Sequence, residues 1–326
     1  MDNTILNAQL LTEKIVENVE RVIVGKRTAI ELAVIALTSQ GHLLIEDAPG
    51  VGKTMLARSL AKSVNCTFKR IQFTPDMLPG DITGVSVYNQ KVADFEFRPG
   101  PIMAQIVLAD EINRATPKVQ SALLECMAEQ QITVDGATYK MPSPFHIFAT
   151  QNPIEYEGTF PLPETQLDRF MLRISLGYPS ISDEKTIMER QQYVHPLEQL
   201  SYIADVSEVL TLQQIVKRIY VDDLVKQYIA SIVEATRHHP LIYLGSSPRG
   251  SLALFRTAQS RALMQGRDFV LPDDIKTLAE PVLAHRLILS SLAQSQDKSG
   301  QFCMTELLET VSVPGTTPSS RTRPTV

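Results

Sequence analysis

The feature that most constrains this 326-residue chain is a short apolar run that ends in a glycine-rich turn. Residues 42–54 read HLLIEDAPGVGKT, and a helical pattern follows directly. A buried strand, a tight turn and a helix N-terminus in this order direct several backbone N–H groups toward one point, which favours an anion. Lys53 can reach the outer phosphates of a nucleotide, and the Thr54 hydroxyl can hold a bridging magnesium ion. The sequence therefore predicts a phosphate-binding loop.

The predicted nucleotide-binding loop departs from the usual GxxxxGK[ST] pattern at one position. Asp47 stands where the first glycine is expected. An acid beside polyphosphate is unfavourable, so we expect the Asp47 carboxylate to point away from the phosphates. The residues expected to contact the nucleotide are Ala48, Pro49, Gly50, Val51, Gly52, Lys53, Thr54 and Met55.

Short apolar runs alternate with helical patterns over the first 180 residues. The predicted strands are 42–46, 68–73, 106–110, 146–150 and 171–176. They lack strict polar alternation, as strands buried on both faces do. The alternation predicts an α/β fold in which a five-stranded parallel sheet is flanked by helices.

Two of these strands end in polar residues that suit phosphoryl chemistry. Asp110 can enter the magnesium shell, and Glu111 can polarise a water for attack on the γ-phosphate. Asn152 follows another strand and can fix the same water, although asparagine before proline is equally an ordinary turn former. Because ligands bind at the carboxyl edge of open α/β sheets, we expect these side chains to lie near the phosphate loop.

Two segments with alternating patterns interrupt this rhythm and predict β-hairpins inserted into a helical layer. They are 84–99 and 132–139, and the second contains an Asp-Gly turn. Phe95 and Phe97 are expected to pack the first hairpin down.

The pattern becomes helical beyond residue 180, with helix starts at Asp222, at Ser247-Pro248 and after Pro272. The one strand-like run noted there is 310–313. We expect a nucleotide-binding core over 1–180, a linker helix region over 181–210, an all-helical lid domain over 211–314 and a disordered tail over 315–326.

Bulk properties narrow the class of protein. The formal net charge is −5, which gives no support to an obligate nucleic-acid binder. No apolar run is long enough to cross a membrane and the N-terminus shows no apolar signal core, so we expect a cytoplasmic protein. The pair His238-His239 has no third ligand in the sequence and does not predict a metal site.

Taken together, these stretches resemble the AAA+ ATPases, and more narrowly the MoxR family within the group that carries a hairpin in the second helix. The resemblance spans residues 24–289. EDxPGxGKT is itself a common form in MoxR proteins, so Asp47 fits the family. The matching segments are EDAPGVGKT, FTPDMLPGDITG, FRPGPIMAQIVLADEINRATPKVQSALLECM, ITVDGATY, FHIFATQNPIEYEGTFPLPETQLDRF, SPRG and VLAHRLIL.

The resemblance implies roles that composition alone does not indicate. Val24 and Gly25 match the segment that lines the adenine pocket, and Asn152 matches the sensor-1 polar residue. Arg169 matches the arginine finger, which would reach the γ-phosphate bound by a neighbouring subunit. Arg249 matches the sensor-2 arginine of the lid, which reports the nucleotide state.

Other readings of the arginines stay open. Arg169 can simply form a salt bridge with Glu164 or Asp168. Arg114 and Arg173 are alternatives for a contact at the subunit boundary.

The resemblance also implies ATP and Mg²⁺ as cofactors and a homo-oligomeric ring, commonly a hexamer. The two hairpins match the helix-2 insert and the pre-sensor-1 hairpin, which line the pore or face a partner in related motors. Tyr88 and the polar tip of the first hairpin are therefore candidates for contact with a client protein. MoxR proteins are typically paired with von Willebrand factor A domain proteins, so we expect such a partner. The leading hypothesis is magnesium-dependent ATP hydrolysis by a ring-forming motor that remodels or matures a partner protein complex.

Three alternatives remain at this point. A DNA-acting motor of the same group would need a basic pore face. A magnesium-chelatase-like motor subunit would share the two hairpins, and a nucleotide-gated scaffold would scarcely turn over. A GTPase is excluded because the sequence has no NKxD base-recognition motif.

Overall fold

The computed structural model describes residues 3–91, 93–153 and 158–313. Its first nine elements are α1 (Asn3–Glu20), α2 (Arg27–Thr38), β1 (Leu43–Glu46), α3 (Lys53–Ser63), β2 (Phe68–Gln72), α4 (Pro79–Thr83), β3 (Gly84–Asn89), β4 (Asp94–Pro99) and β5 (Ile106–Asp110). The next six are α5 (Pro117–Glu129), β6 (Gln131–Val134), β7 (Ala137–Lys140), β8 (His146–Gln151), α6 (Glu164–Leu167) and β9 (Leu172–Ile174). The others are α7 (Ile181–Gln191), α8 (Pro196–Gln199), α9 (Val206–Val216), α10 (Asp223–His238), β10 (Ile242–Leu244), α11 (Pro248–Met264), α12 (Pro272–Leu283), β11 (Ile288–Leu289), α13 (Ser291–Ser295) and α14 (Gly300–Thr310).

Five strands form one parallel sheet in the order β2-β5-β8-β1-β9. Every residue of β5 is buried, as are all of β8 except its last residue. A strand that is buried on both faces needs apolar residues at successive positions, so the apolar runs of the sequence predicted these strands correctly. The predicted five-stranded parallel sheet is confirmed, and each predicted strand end lies within two residues of the observed one.

Both predicted hairpins are present, as the antiparallel pairs β3–β4 and β6–β7. They contact each other through Phe97 and Tyr139, whose rings stack with centroids 4.0 Å apart. The expected packing role of Phe97 is therefore confirmed. The same expectation is wrong for Phe95, which is 67% exposed and meets Tyr88 edge-on at the open side of the hairpin.

Two apolar cores lie on opposite faces of the sheet. One joins the sheet to α5 and to the bases of the hairpins, with Leu123 and Phe170 among its buried residues. The other joins the sheet to α1, α2 and α3 and continues without a break into α9, α10, α11 and α12. A buried hydrogen bond of 2.6 Å between the hydroxyls of Thr38 and Ser260 links α2 to α11 inside this second core.

The region after α7 is mostly helical, as predicted, and α10 and α11 begin at side-chain caps. Asp222 accepts from the Leu224 N–H at 2.9 Å, and Ser247 accepts from the Arg249 N–H at 3.1 Å. The region also contains a short antiparallel pair, β10–β11, that the sequence did not indicate. The strand-like run at 310–313 is wrong as a strand, because α14 extends to Thr310. The predicted tail at 315–326 lies outside the described residues, and the predicted domain boundaries stay predictions.

One ion pair fastens this helical region to the sheet. Arg286, in a short 3₁₀ turn after α12, donates to the carboxylate and the carbonyl of Asp168 and to the Phe170 carbonyl. Its side chain is 2% exposed. Burial lowers the pKa of Arg286, and the adjacent Asp168 opposes that shift. The loop that precedes β9 is thereby fixed to the end of α12.

Replacing Arg286 with methionine should lower the free energy of unfolding by about 3 kcal/mol, because the Asp168 carboxylate and three carbonyls lose their buried cation. Urea unfolding followed by circular dichroism measures this change. Lys226→Met, which breaks an exposed pair with Asp223 in the same region, is the matched control and should have little effect. Equal effects of the two substitutions would contradict the role of Arg286.

Two fully buried histidines lie at the amino edge of the sheet. The Nδ1 of His146 donates to the Gly41 carbonyl, and the Ile147 N–H donates to the Nδ1 of His42 at 3.1 Å. Desolvation lowers the pKa of His42 to about 4 and that of His146 to about 3. Both side chains are therefore neutral in the folded protein at neutral pH.

These pKa values predict a loss of stability in acid. An unfolded chain protonates a histidine near pH 6.5. The two neutral histidines therefore make their full contribution to the free energy of unfolding above that pH. This contribution declines as the pH falls toward their pKa values in the folded protein. At pH 5 each should cost about 2 kcal/mol of unfolding free energy. Urea unfolding at pH 7.5 and 5 should show a smaller difference for His146→Phe than for the exposed-site control His238→Gln. The same difference in both variants would contradict the prediction.

Candidate nucleotide site

The predicted phosphate loop joins the end of β1 to the start of α3. Gly50 and Gly52 adopt positive φ angles of 85° and 101°, a region that glycine enters without steric cost. Gly52 caps α3 in the left-handed conformation, and a Cβ built on Gly50 would meet nothing within 4 Å. The loop therefore presents an open cradle in front of the N-terminus of α3, as an anion site requires.

The carboxylate of Asp47 points away from this cradle. It accepts from the Ser175 hydroxyl at 2.7 Å, from the Gly177 N–H at 3.2 Å and from the Leu176 N–H. The residue is 8% exposed. Asp47 thus connects the loop to the segment after β9. Its carboxylate points away from the cradle, which is the orientation expected from the sequence.

The remaining predicted contacts surround the cradle. The Nζ of Lys53 donates to the carbonyls of Asp47 at 2.7 Å and Gln151 at 3.3 Å. Thr54 and Met55 occupy the first turn of α3, and Ala48, Pro49 and Val51 belong to the loop. A Cβ on Gly52 would lie 3.7 Å from the Ile23 side chain, so Ile23 lies beside the loop. The predicted adenine-pocket residues Val24 and Gly25 follow Ile23 directly in the sequence.

Sheet order brings the polar strand ends together. β8 lies between β5 and β1, so Asn152 follows the strand that separates Asp110 from the phosphate loop. Asn152 is 4% exposed, and its carbonyl accepts from the Asn113 side chain at 3.4 Å. The predicted metal ligand, the predicted water-fixing residue and the loop therefore share one edge of the sheet.

Both carboxylate oxygens of Asp110 have partners. Oδ1 accepts from the Thr150 hydroxyl at 2.6 Å. Oδ2 accepts from Nε of Arg70 at 2.9 Å and from a terminal nitrogen of Arg70 at 2.6 Å. Sequence reasoning missed Arg70 and Gln72. The polar residues of the segment FKRIQF, on a strand next to the acidic one, were the available signal.

Glu111 follows β5 with a positive φ of 58°, and its N–H donates to the Thr150 hydroxyl at 2.8 Å. Its carboxylate accepts from the Gln72 side chain at 2.7 Å and from Arg114 at 3.0 Å. Arg114, one alternative for a contact at the subunit boundary, therefore forms an ion pair with Glu111. The other alternative, Arg173, pairs with Glu46 at 2.9 Å.

The predicted arginine finger Arg169 and the predicted sensor-2 arginine Arg249 lie away from the phosphate loop, around a cavity of about 310 Å³. Gly41 and His42, which precede β1, line this cavity, whereas the phosphate loop follows β1. The strand between them spans about 13 Å, so the arginines lie at the opposite edge of the sheet. The cationic lining consists of Arg169, Arg249, Arg256 and Arg286.

Arg169 does not form the salt bridge that was considered for it. Its NH1 donates to the Leu124 carbonyl at 2.8 Å, and its buried Nε has no partner among the described residues. Asp168 instead pairs with Arg286 and lies 4.0 Å from Arg249, whose side chain is 58% exposed. The cavity thus holds more positive charge than its one carboxylate neutralises.

Comparison with known proteins agrees with this geometry. Residues 42–172 match the model of the ATPase family associated with various cellular activities (AAA), and residues 234–306 match the AAA lid domain. Chaperone MoxR1 of Mycobacterium tuberculosis is 42% identical over 93% of this chain and 82% of its own length. The chain belongs to the MoxR family of AAA+ ATPases.

Two further relatives support this assignment. The Bacillus subtilis protein YeaC is 52% identical, covering 93% of this chain and 95% of its own length. A crystal structure from Cytophaga hutchinsonii superposes with a TM-score of 0.90 and 37% identity over 96% of this chain and 97% of that one. The predicted AAA+ fold with a helical lid domain is confirmed.

Two negative findings apply to residues 3–91, 93–153 and 158–313. No helix there is long and apolar enough to cross a bilayer. That same part of the chain contains no cluster of three or more histidine, cysteine or acidic side chains suited to a metal ion. His238 and His239 contact Glu234 and Glu306 respectively.

Restoring the usual glycine of the phosphate loop should harm this protein. Asp47→Gly removes the acceptor of two backbone N–H groups, which should cost about 2 kcal/mol of unfolding free energy and weaken nucleotide binding by loosening the loop. Urea unfolding and titration with a fluorescent ADP analogue measure the two effects. Asp47→Asn, which keeps one acceptor oxygen, should be milder. Tighter binding by the glycine variant would contradict the structural role of Asp47.

Proposed function

We propose that the protein is a magnesium-dependent ATPase that assembles into a ring, with each nucleotide bound between two subunits. One observation carries the proposal: the phosphate loop with its acids and the pair Arg169 and Arg249 lie at opposite edges of one sheet. A single subunit therefore has both halves of a hydrolysis site, facing different neighbours. A head-to-tail ring, probed below by mixing subunits, brings the halves together.

Within one subunit, the cradle before α3 binds the phosphates, and Lys53 moves from its carbonyl partners to the outer phosphate oxygens. The Thr54 hydroxyl and the Asp110 carboxylate are hard oxygen donors that fit Mg²⁺. When bound, the ion would neutralise charge on the phosphates. Glu111 turns from Gln72 and Arg114 to orient the attacking water, and Asn152 holds that water by a hydrogen bond.

The neighbouring subunit supplies positive charge. Arg169 and Arg249 line one cavity, so both can reach the same bound nucleotide. A planar, permanently charged guanidinium suits the charge that develops on the transferred phosphoryl group. The buried Nε of Arg169 has no partner in the described part of the chain. This supports the role, because such a donor gains from an incoming phosphate oxygen.

The work done with this hydrolysis is remodelling or maturation of a partner protein complex. Support comes from the relative named a chaperone and from the β3–β4 hairpin, which exposes Val85, Tyr88 and Phe95. Exposed aromatic side chains suit contact with another protein. A von Willebrand factor A domain protein is the partner that we propose, and cytoplasmic residence is part of the same proposal.

The alternatives have less support. A DNA-acting motor would need a basic face, and the chain carries a net charge of −5. A salt-sensitive shift on single-stranded DNA would favour that motor. Copurification with a tetrapyrrole-binding protein would favour a chelatase-like subunit. Absence of turnover by the assembled protein would favour a nucleotide-gated scaffold.

Mixing of inactive subunits tests the shared site. Lys53→Ala should not bind ATP, and Arg169→Ala should bind ATP yet hydrolyse it poorly, so each is inactive alone. A mixture should regain part of the wild-type activity, because some boundaries pair an intact loop with an intact finger. Phosphate release measures the activity, and size-exclusion chromatography with light scattering verifies assembly. Assembled mixtures with no gain would refute a finger that acts between subunits.

A second variant supports the search for a partner. Glu111→Gln should bind ATP without cleaving it, and the ATP-bound form is suited to copurification of a client.

A further inference from the structure

We infer that Arg70 is the counter-ion of Asp110 until a divalent cation binds, and that a cation which binds Oδ2 of Asp110 displaces it. The inference rests on the proposed function, because it takes Asp110 as a magnesium ligand. It assigns Arg70 a positioning role in the exchange of cations at Asp110.

Each carboxylate oxygen of Asp110 accepts a hydrogen bond, and Oδ2 accepts two. Two nitrogens of Arg70 donate to Oδ2, at 2.9 and 2.6 Å, and the Thr150 hydroxyl donates to Oδ1 at 2.6 Å. Thr150 also accepts from the Glu111 N–H, so this hydroxyl is held on both sides. Of the two partners, Arg70 is the one whose departure breaks no backbone contact.

Burial shows which partner can leave. The Asp110 side chain is 10% exposed, whereas that of Arg70 is 48% exposed at the edge strand β2. A carboxylate with so little access to water needs a compensating cation. An arginine and a divalent ion on one carboxylate oxygen repel each other at such short range. An ion that binds Oδ2 therefore sends the Arg70 guanidinium outward into solvent.

The same displacement reaches the proposed general base. Arg70 also donates to the Gln72 side-chain carbonyl, and the amide of Gln72 donates to Glu111 at 2.7 Å. Departure of Arg70 takes a donor from Gln72 and weakens the hold of Gln72 on Glu111. Arg70 and Gln72 thus connect the pairing of Asp110 to that of Glu111.

Magnesium titrations of ADP binding test the inference. Arg70→Met removes the competing cation, so half-maximal Mg²⁺-dependent binding of a fluorescent ADP analogue should need about three- to tenfold less Mg²⁺. Lys69→Met is the matched control, since its exposed side chain points to the opposite face of the same strand. Affinity for ADP in EDTA should be the same in both variants, and Arg70→Lys should lie between wild type and Arg70→Met.

A second measurement does not depend on nucleotide. Without Mg²⁺, Arg70→Met should unfold at a lower temperature than Lys69→Met, because Asp110 loses its counter-ion, and added Mg²⁺ should narrow the gap. Equal Mg²⁺ requirements in the two variants would overturn the inference. So would a loss of ADP affinity in EDTA, which would mean that Arg70 contacts the nucleotide itself.

Failure of the proposed function is distinguishable from failure of this inference. Asp110→Asn should first raise the Mg²⁺ concentration needed for half-maximal ADP binding, because the ion loses a carboxylate ligand and keeps Thr54. If that concentration is unchanged, the metal assignment of Asp110 fails. If it rises while Arg70→Met behaves like Lys69→Met, only the role of Arg70 fails.

Discussion

Parallel pairing of five short strands is the constraint on which the candidate site depends. Parallel strands end at one edge, and the order β2-β5-β8-β1-β9 places the strand before Asn152 between those that carry the phosphate loop and Asp110. Gln72, at the end of the outermost strand β2, pairs in register with Asp110. Residues from four separate stretches of sequence thus come within hydrogen-bonding distance of one another without any long loop.

The same pairing sends a different set of residues to the opposite edge. Gly41 and His42 approach the cavity lined by Arg169 and Arg249, and Asp168 connects that cavity to the helical region through Arg286 and Ser247. Movement of the lid is therefore mechanically connected to the residue next to the proposed finger. A sheet about 13 Å deep separates this apparatus from the loop of its own subunit.

Much of this arrangement could be predicted from the sequence because the relevant signals are local. Buried strands appear as apolar runs, a hairpin is indicated by Asp135-Gly136, and Ser247-Pro248 predicts a helix start. The residues that were missed depend on long-range neighbours. Arg70 acquires significance only because β2 pairs with β5. The orientation of Asp47 was predicted, but its partners after β9 were not, because they depend on the pairing of β9 with β1. The short strands β10 and β11 lacked a signal, since two or three residues carry no periodicity.

The apolar core that unites α1, α2 and the helices from α9 to α12 has a consequence for how such chains can be recombined. The Thr38–Ser260 hydrogen bond and the shared burial of Ile30 and Leu254 make the first forty residues a structural partner of the lid. Two family models match residues 42–172 and 234–306. These two segments therefore cannot be exchanged between relatives independently of α1 and α2. A chimera that takes its lid from one relative must take α1 and α2 from the same parent, or it will pair buried surfaces of different shape.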